Sequence, residues 1–240
     1  MSRLPLRLFV GVALVAAVVC VRLGVWQVDR LHQRRARNAL VRARLDSAEV
    51  DVRAVPRDTT LSRFRRVRVA GVPDFDHEIV LASRSRRGSP GVYIVTPFRR
   101  TGVDTAILVN RGWVYSPDAA TVDLIPWRRV DSVVVGYVDE LEPNRGGPLT
   151  NRVRVLNRLS ASAVGTTLPY PVAPFVVVET GDTVIRADRP AQLGVPALDD
   201  GPHFSYAVQW FGFALVALVG AVVVVTRGRR FASSADRPLD

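Results

Sequence analysis

His203, Tyr206 and Trp210 stand in the stretch GPHFSYAVQW at relative positions i, i+3 and i+7. On a helix these three side chains share a face with Ala207. A neutral imidazole can ligate iron, and aromatic and aliphatic neighbours can pack against a macrocycle. The trio therefore suits a haem site, with His203 on the iron and Tyr206 and Trp210 beside the ring system. It equally suits a belt at a membrane interface, where His, Tyr and Trp sit at headgroup level and bind nothing. The residues alone leave both readings open.

The elements that must carry them are two apolar segments at the ends of the chain. From Phe204 to Val225 there are 22 residues without a charge. As a helix they reach about 33 Å, enough for a bilayer core of about 30 Å. Arg227, Arg229 and Arg230 close the far end, and Asp199, Asp200 and His203 stand at the near end. At the other terminus Arg3 and Arg7 precede an apolar run from Leu8 to Val21. No small-x-small cleavage site follows it, and Val19 before Cys20 does not suit a lipoprotein signal. Read on to Trp26, the segment is an uncleaved anchor, with Arg22 snorkelling and Trp26 at the interface. From Gln27 to Leu45 the pattern stays helical and strongly basic, a solvated extension near the headgroups. Short-loop arginines mark the cytoplasmic side, which puts both termini in the cytoplasm and the middle of the chain outside.

Composition narrows the chemistry. The 240 residues carry a net charge of +11, and every basic residue is Arg. The arginines are spread along the chain, which argues against nucleic acid and favours attraction to anionic lipid. One Cys and the initiator Met give no copper-handling set, and no Cys/His cluster has zinc spacing. A lone cysteine makes no intramolecular disulfide and does not identify the compartment.

Between the helices, residues 46–62 are polar and read as a linker. Short β runs follow at 66–69, 78–82, 91–98, 105–115, 131–141, 153–156, 175–180 and 184–187. GVYIVTPF and TAILVNRGWVY flank a turn at residues 101–104 and read as a hairpin. Residues 145–148 read as a loop, 159–164 as a helical turn opening at Ser160, and 188–202 as an extended return. The expected fold is a membrane protein of two transmembrane helices flanking a mainly antiparallel β (α+β) extracytoplasmic domain, compatible with a partly closed barrel. The expected division is 1–26, tail and first membrane helix; 27–62, basic helix and linker; 63–203, β domain and return; 204–226, second membrane helix; and 227–240, cytoplasmic tail.

That middle domain offers little for catalysis. Its only histidine away from the membrane borders is His77, in PDFDHEI, which reads as a surface residue. No phosphate loop, GxGxxG or HExxH occurs. Asn110-Arg111-Gly112-Trp113 interrupts a strand, either as a bulge with Trp113 in the core or as a place where Arg111 meets a ligand.

Five stretches resemble the surfeit locus cytochrome c oxidase assembly family, here a bacterial member. They are LGVWQ (23–27) with Arg30, FRRVRVAG (64–71), GVYIVTPF (91–98), LVNRGWV (108–114) and PHFSYAVQWFGFALVAL (202–218), in family order. Residues 140–190 match loosely, and Tyr115 stands where many members have Pro. The resemblance implies a non-enzymatic assembly factor of the bacterial inner membrane. Its expected partners are oxidase subunit I, other oxidase assembly factors and the lipid bilayer, with haem a as cofactor. It ties His203 to the haem iron, and Trp210 matches the family aromatic on that helix. A scaffold without cofactor, holding an oxidase intermediate, is the alternative expectation.

Overall fold

The computed structural model describes residues 3–129, 131–142, 154–181 and 187–235, with side chains among them from 7 to 227. The chain forms two units: Met1–Leu40 with Leu198–Asp240, and Val41–Ala197.

The first unit is built on two helices, α1 (Arg3–Leu45, whose last turn belongs to the second unit) and α4 (His203–Ala235). No Gly or Pro falls between Gln27 and Leu45, so α1 runs unbroken through the basic stretch. Its buried positions Ala17, Gly24 and Leu31 repeat every seven residues, and Ala207, Ala214 and Ala221 repeat likewise on α4. A seven-residue period is the mark of two helices packed along a shared seam. At Gly24 a Cβ would lie 2.7 Å from the Phe211 ring, so a larger residue there would have to displace that ring. The remaining faces are apolar and exposed, from Leu8 and Val12 to Leu215 and Val216. Helices apolar all round belong in lipid or a large core. Both are long and apolar enough to cross a membrane.

The second unit holds nine strands: β1 (Val50–Asp51), β2 (Arg66–Ala70), β3 (Val72–Pro73), β4 (Ile79–Arg86), β5 (Ser89–Arg100), β6 (Val103–Tyr115), β7 (Val133–Glu140), β8 (Val155–Leu156) and β9 (Val172–Glu179). They form one sheet in the order β1-β2-β7-β9-β6-β5-β4-β8, with β3 paired to β5. The sheet is mixed, which corrects the expectation of a mainly antiparallel one. β1 with β2, β4 with β8 and β6 with β9 run parallel. Hairpin turns reveal only neighbours in the chain, and parallel partners are joined by long connections that leave no local mark. Among the described residues no pairing joins the end strands of this path, β1 and β8, but β3 follows β2 after one residue and pairs with β5, so the β2–β3 run has β7 on one side and β5 on the other and the sheet curls back on itself.

The expected hairpin is present, with β5 and β6 paired from Gly91↔Tyr115 to Arg100↔Val103. The segment read as a linker is structured. Val52 is buried after β1, and Asp58 caps the short helix α2 (Thr59–Ser62) by accepting from the Thr60 N–H. Ser160 likewise caps α3 (Ala161–Thr167), whose Ala163 and Val164 pack with Ile79, Leu81 and Leu156. On the other side of β6, Ile107 and Val109 pack with Val67, Val69, Phe98 and Val177. At Gly136 the neighbouring strand comes close, since a Cβ there would lie 2.2 Å from the Val178 carbonyl oxygen. The loop expected at 145–148 and most of the strand expected at 184–187 lie outside the described residues.

Candidate functional site at the helix mouth

α4 begins at His203 itself. Its first turn is closed by the Tyr206 N–H donating to the Pro202 carbonyl at 3.1 Å. The helical spacing brings His203, Ala207 and Trp210 onto the packed seam: Ala207 is buried, and His203 and Trp210 are half-buried. Tyr206 stands one step outward, 46% exposed. Trp210 meets Phe213 edge to face, ring centroids 5.9 Å apart.

The partner of His203 comes from α1. Its Nδ1 lies 2.9 Å from Gln27 Oε1, and Gln27 is itself buried. An amide oxygen accepts only, so Nδ1 carries the proton, and in the neutral ring Nε2 then keeps its lone pair. Metal-binding histidines are commonly set up this way, by an acceptor on the other ring nitrogen. Tyr206 and Trp210 supply aromatic surface beside it. The donor set thus fits a haem at His203, though a headgroup belt shares the same aromatics. Gln27 was legible only as part of LGVWQ; nothing local in the sequence joins it to a residue 176 positions on.

Above the histidine the same two chain segments are tied again. Arg34 Nη2 donates to Asp199 Oδ1 at 3.0 Å and Nε to the Asp199 carbonyl at 2.9 Å. Asn38 Nδ2 donates to that carbonyl at 2.9 Å, and Arg35 Nε to Asp200 Oδ2 at 2.8 Å. These arginines, read as a solvated extension, are therefore engaged. Both ion pairs are exposed, about half or more of each side chain except Asp200 at 44%. Pairs so exposed contribute about 0–1 kcal/mol each.

In the sheet unit, Asn110–Trp113 proves to be a bulge. Ile94 pairs with Gly112 and Val95 with Asn110, leaving Arg111 as the extra residue. Arg111 and Glu78 are each 1% exposed, so Arg111 does not meet a ligand at the surface. Its Nη1 lies 3.4 Å from Glu78 Oε1, and its Nη2 donates to the Arg129 carbonyl at 2.7 Å. Thr96 Oγ1 donates to Glu78 Oε1 at 2.7 Å. Burial pushes the Glu78 carboxyl up and the Arg111 guanidinium down from their ordinary values, while each opposes the shift of the other. Trp113 is core, and its backbone N–H donates to the Ala191 carbonyl at 2.9 Å. That carbonyl lies 2.4 Å from where a Gly112 Cβ would stand, and Gly112 has φ 128°. Gly112→Ala is therefore expected to cost at least about 2 kcal/mol, read as a lowered midpoint of urea unfolding followed by Trp fluorescence.

His77 is a structural residue. Its Nδ1 lies 2.9 Å from Asp74 Oδ2, which also accepts from the Tyr170 hydroxyl at 2.8 Å. Burial would raise the Asp74 carboxyl, but the Tyr170 and His77 hydrogen bonds outweigh it and hold the carboxyl below its ordinary value.

Comparison with known proteins bears on both regions. The model of the SURF1 family matches residues 14–215. A SURF1-like protein of Rickettsia felis is 25% identical over 218 residues, covering 88% of this chain and 94% of its own. A SURF1-like protein of Mycobacterium tuberculosis strain H37Rv is 27% identical, covering 82% and 74%. Surfeit locus protein 1 of Homo sapiens is 26% identical over 229 residues, covering 85% and 73%.

Proposed function

Since the chain belongs to the SURF1 family, we propose that it is a membrane-anchored assembly factor for haem-copper cytochrome c oxidase, not an enzyme. It binds haem a as cargo and assists its insertion into subunit I. The observation that carries this reading is the contact of His203 Nδ1 with Gln27 Oε1, which presents Nε2 as a ligand at the mouth of an apolar helix. His203 would hold the iron, and Tyr206 and Trp210 would pack beside the macrocycle. The haem supplies the iron and the redox-active ring that the oxidase later uses. The chain's own part is to bind it, orient it and keep its apolar surface out of water.

Both helices cross the bacterial inner membrane in this reading. Arg7 and Arg227 mark the cytoplasmic ends, and the sheet unit is extracytoplasmic. Subunit I, other oxidase assembly factors and the surrounding lipid are its partners.

The test is made in cells. In a strain lacking this protein, the wild-type chain should restore haem a content and activity of the terminal oxidase, and His203→Ala should restore neither. If both restore oxidase equally, the haem role fails and a cofactor-free scaffold takes its place. If the deletion leaves oxidase normal, the assembly role itself fails.

A further inference from the structure

The face of α1 that meets His203 continues beyond it. Gln27, Leu31, Arg34 and Asn38 follow at i, i+4, i+7 and i+11, with Arg35 beside Arg34. Arg34 stands two turns from Gln27, roughly 10 Å along the axis. Arg34 thus lies on the helix face that meets the imidazole, with Arg35 next to it in the chain, and each already holds a carboxylate, Asp199 on Arg34 and Asp200 on Arg35. A Cβ placed on Gly201 would lie 3.7 Å from Arg34 Nε and 3.7 Å from His203 Nε2. The arginine and the open ring nitrogen therefore border one point above that turn.

Guanidinium forks match carboxylates in geometry and charge. The carboxylates now on them are exposed and weakly held. Another acid can exchange with them, while the Asp199 carbonyl keeps its bonds to Arg34 and Asn38. Haem carries two propionate arms besides its iron. We infer that Arg34 and Arg35 receive the two carboxylate arms of haem, and that Asp199 and Asp200 are built-in competitors occupying the same guanidinium groups in the empty protein. The inference rests on the proposed haem role of His203. Loading then exchanges two internal ion pairs for two ligand ones, with no net change of charge pairing. Release is favoured by the return of Asp199 and Asp200.

The test is a titration of the purified full-length protein in detergent, followed by the absorption of bound haem. The probes are haem a and haem a with both propionates methyl-esterified. The combined Asp199→Asn and Asp200→Asn variant should bind haem a about tenfold more tightly and the ester unchanged. Asparagine still offers Oδ1 to the Gly201 N–H, so the turn is kept. The combined Arg34→Gln and Arg35→Gln variant should bind haem a about tenfold more weakly, again with little change for the ester. Equal wild-type affinity for acid and ester, unaltered by either variant, overturns the inference and leaves the role of His203 standing. Failure of the wild type to bind either probe overturns both.

Discussion

Replacing Arg111 by Met should destabilise the sheet unit by about 3–5 kcal/mol. The substitution is close in size and apolar, so packing changes little. What it leaves is a Glu78 carboxylate 1% exposed and without its buried cation. Thr96 still donates to it, and Arg128 Nε stands 3.6 Å from Oε2, but Arg128 is partly in solvent and compensates less. The loss should depend on pH in a stated direction. Burial already holds the Glu78 carboxyl above its ordinary 4.5, and loss of Arg111 raises it further. A raised carboxyl binds its proton more readily folded than unfolded, so its cost is relieved as pH falls through the folded value. The variant should therefore approach wild-type stability on acidification from neutral pH. Adding Glu78→Met should restore part of the loss at pH 7, because removing both charges is far less costly than removing one. Urea unfolding of the full chain, followed by Trp113 and Trp127 fluorescence, measures all three. An Arg111→Met variant within about 0.5 kcal/mol of wild type would show that the pair is not buried as described.

On the proposed haem role, His203→Ala should lower haem a affinity at least about a hundredfold, since the iron would lose its nitrogen ligand and the methyl group offers none. Gln27→Leu should cost about tenfold to a hundredfold, the usual range for a residue that orients a metal ligand. Leucine fills similar space but gives Nδ1–H no acceptor, so the ring is free to turn and to change tautomer. Gln27→Glu should do the opposite to the ligand. A carboxylate on Nδ1–H makes Nε2 a stronger donor, which should lower the reduction potential of bound haem. A structural role for Gln27 alone would move stability in both variants and leave the potential of any haem bound by Gln27→Glu unchanged.

Much of this molecule is written locally in the chain. The unbroken apolar run from Phe204 gives α4, the absence of Gly and Pro from 27 to 45 gives the length of α1, and Ser160 marks the start of α3. The β5–β6 hairpin and the bulge at Arg111 also follow from alternation and its interruption. The parallel pairings do not, because β6 and β9 meet across more than fifty intervening residues. The site divides the same way. His203 and Trp210 announce themselves by type and spacing on one helix. Gln27, Arg34 and Arg35 become part of it only when the far end of the chain lies alongside, a fact carried by heptad packing such as Ala17–Gly24–Leu31 and not by any motif around them. Glu78 is the sharpest case. In PDFDHEI it looks like one more surface acid, yet it is the buried partner of Arg111.

The most direct measurement is the absorption spectrum of the full-length protein purified from cells that make haem a, with His203→Ala prepared in parallel. A haem a spectrum in the wild type and its absence in the variant is the predicted result. A wild-type protein without haem, or a variant that retains it in equal amount, would contradict the assignment of His203 as the ligand.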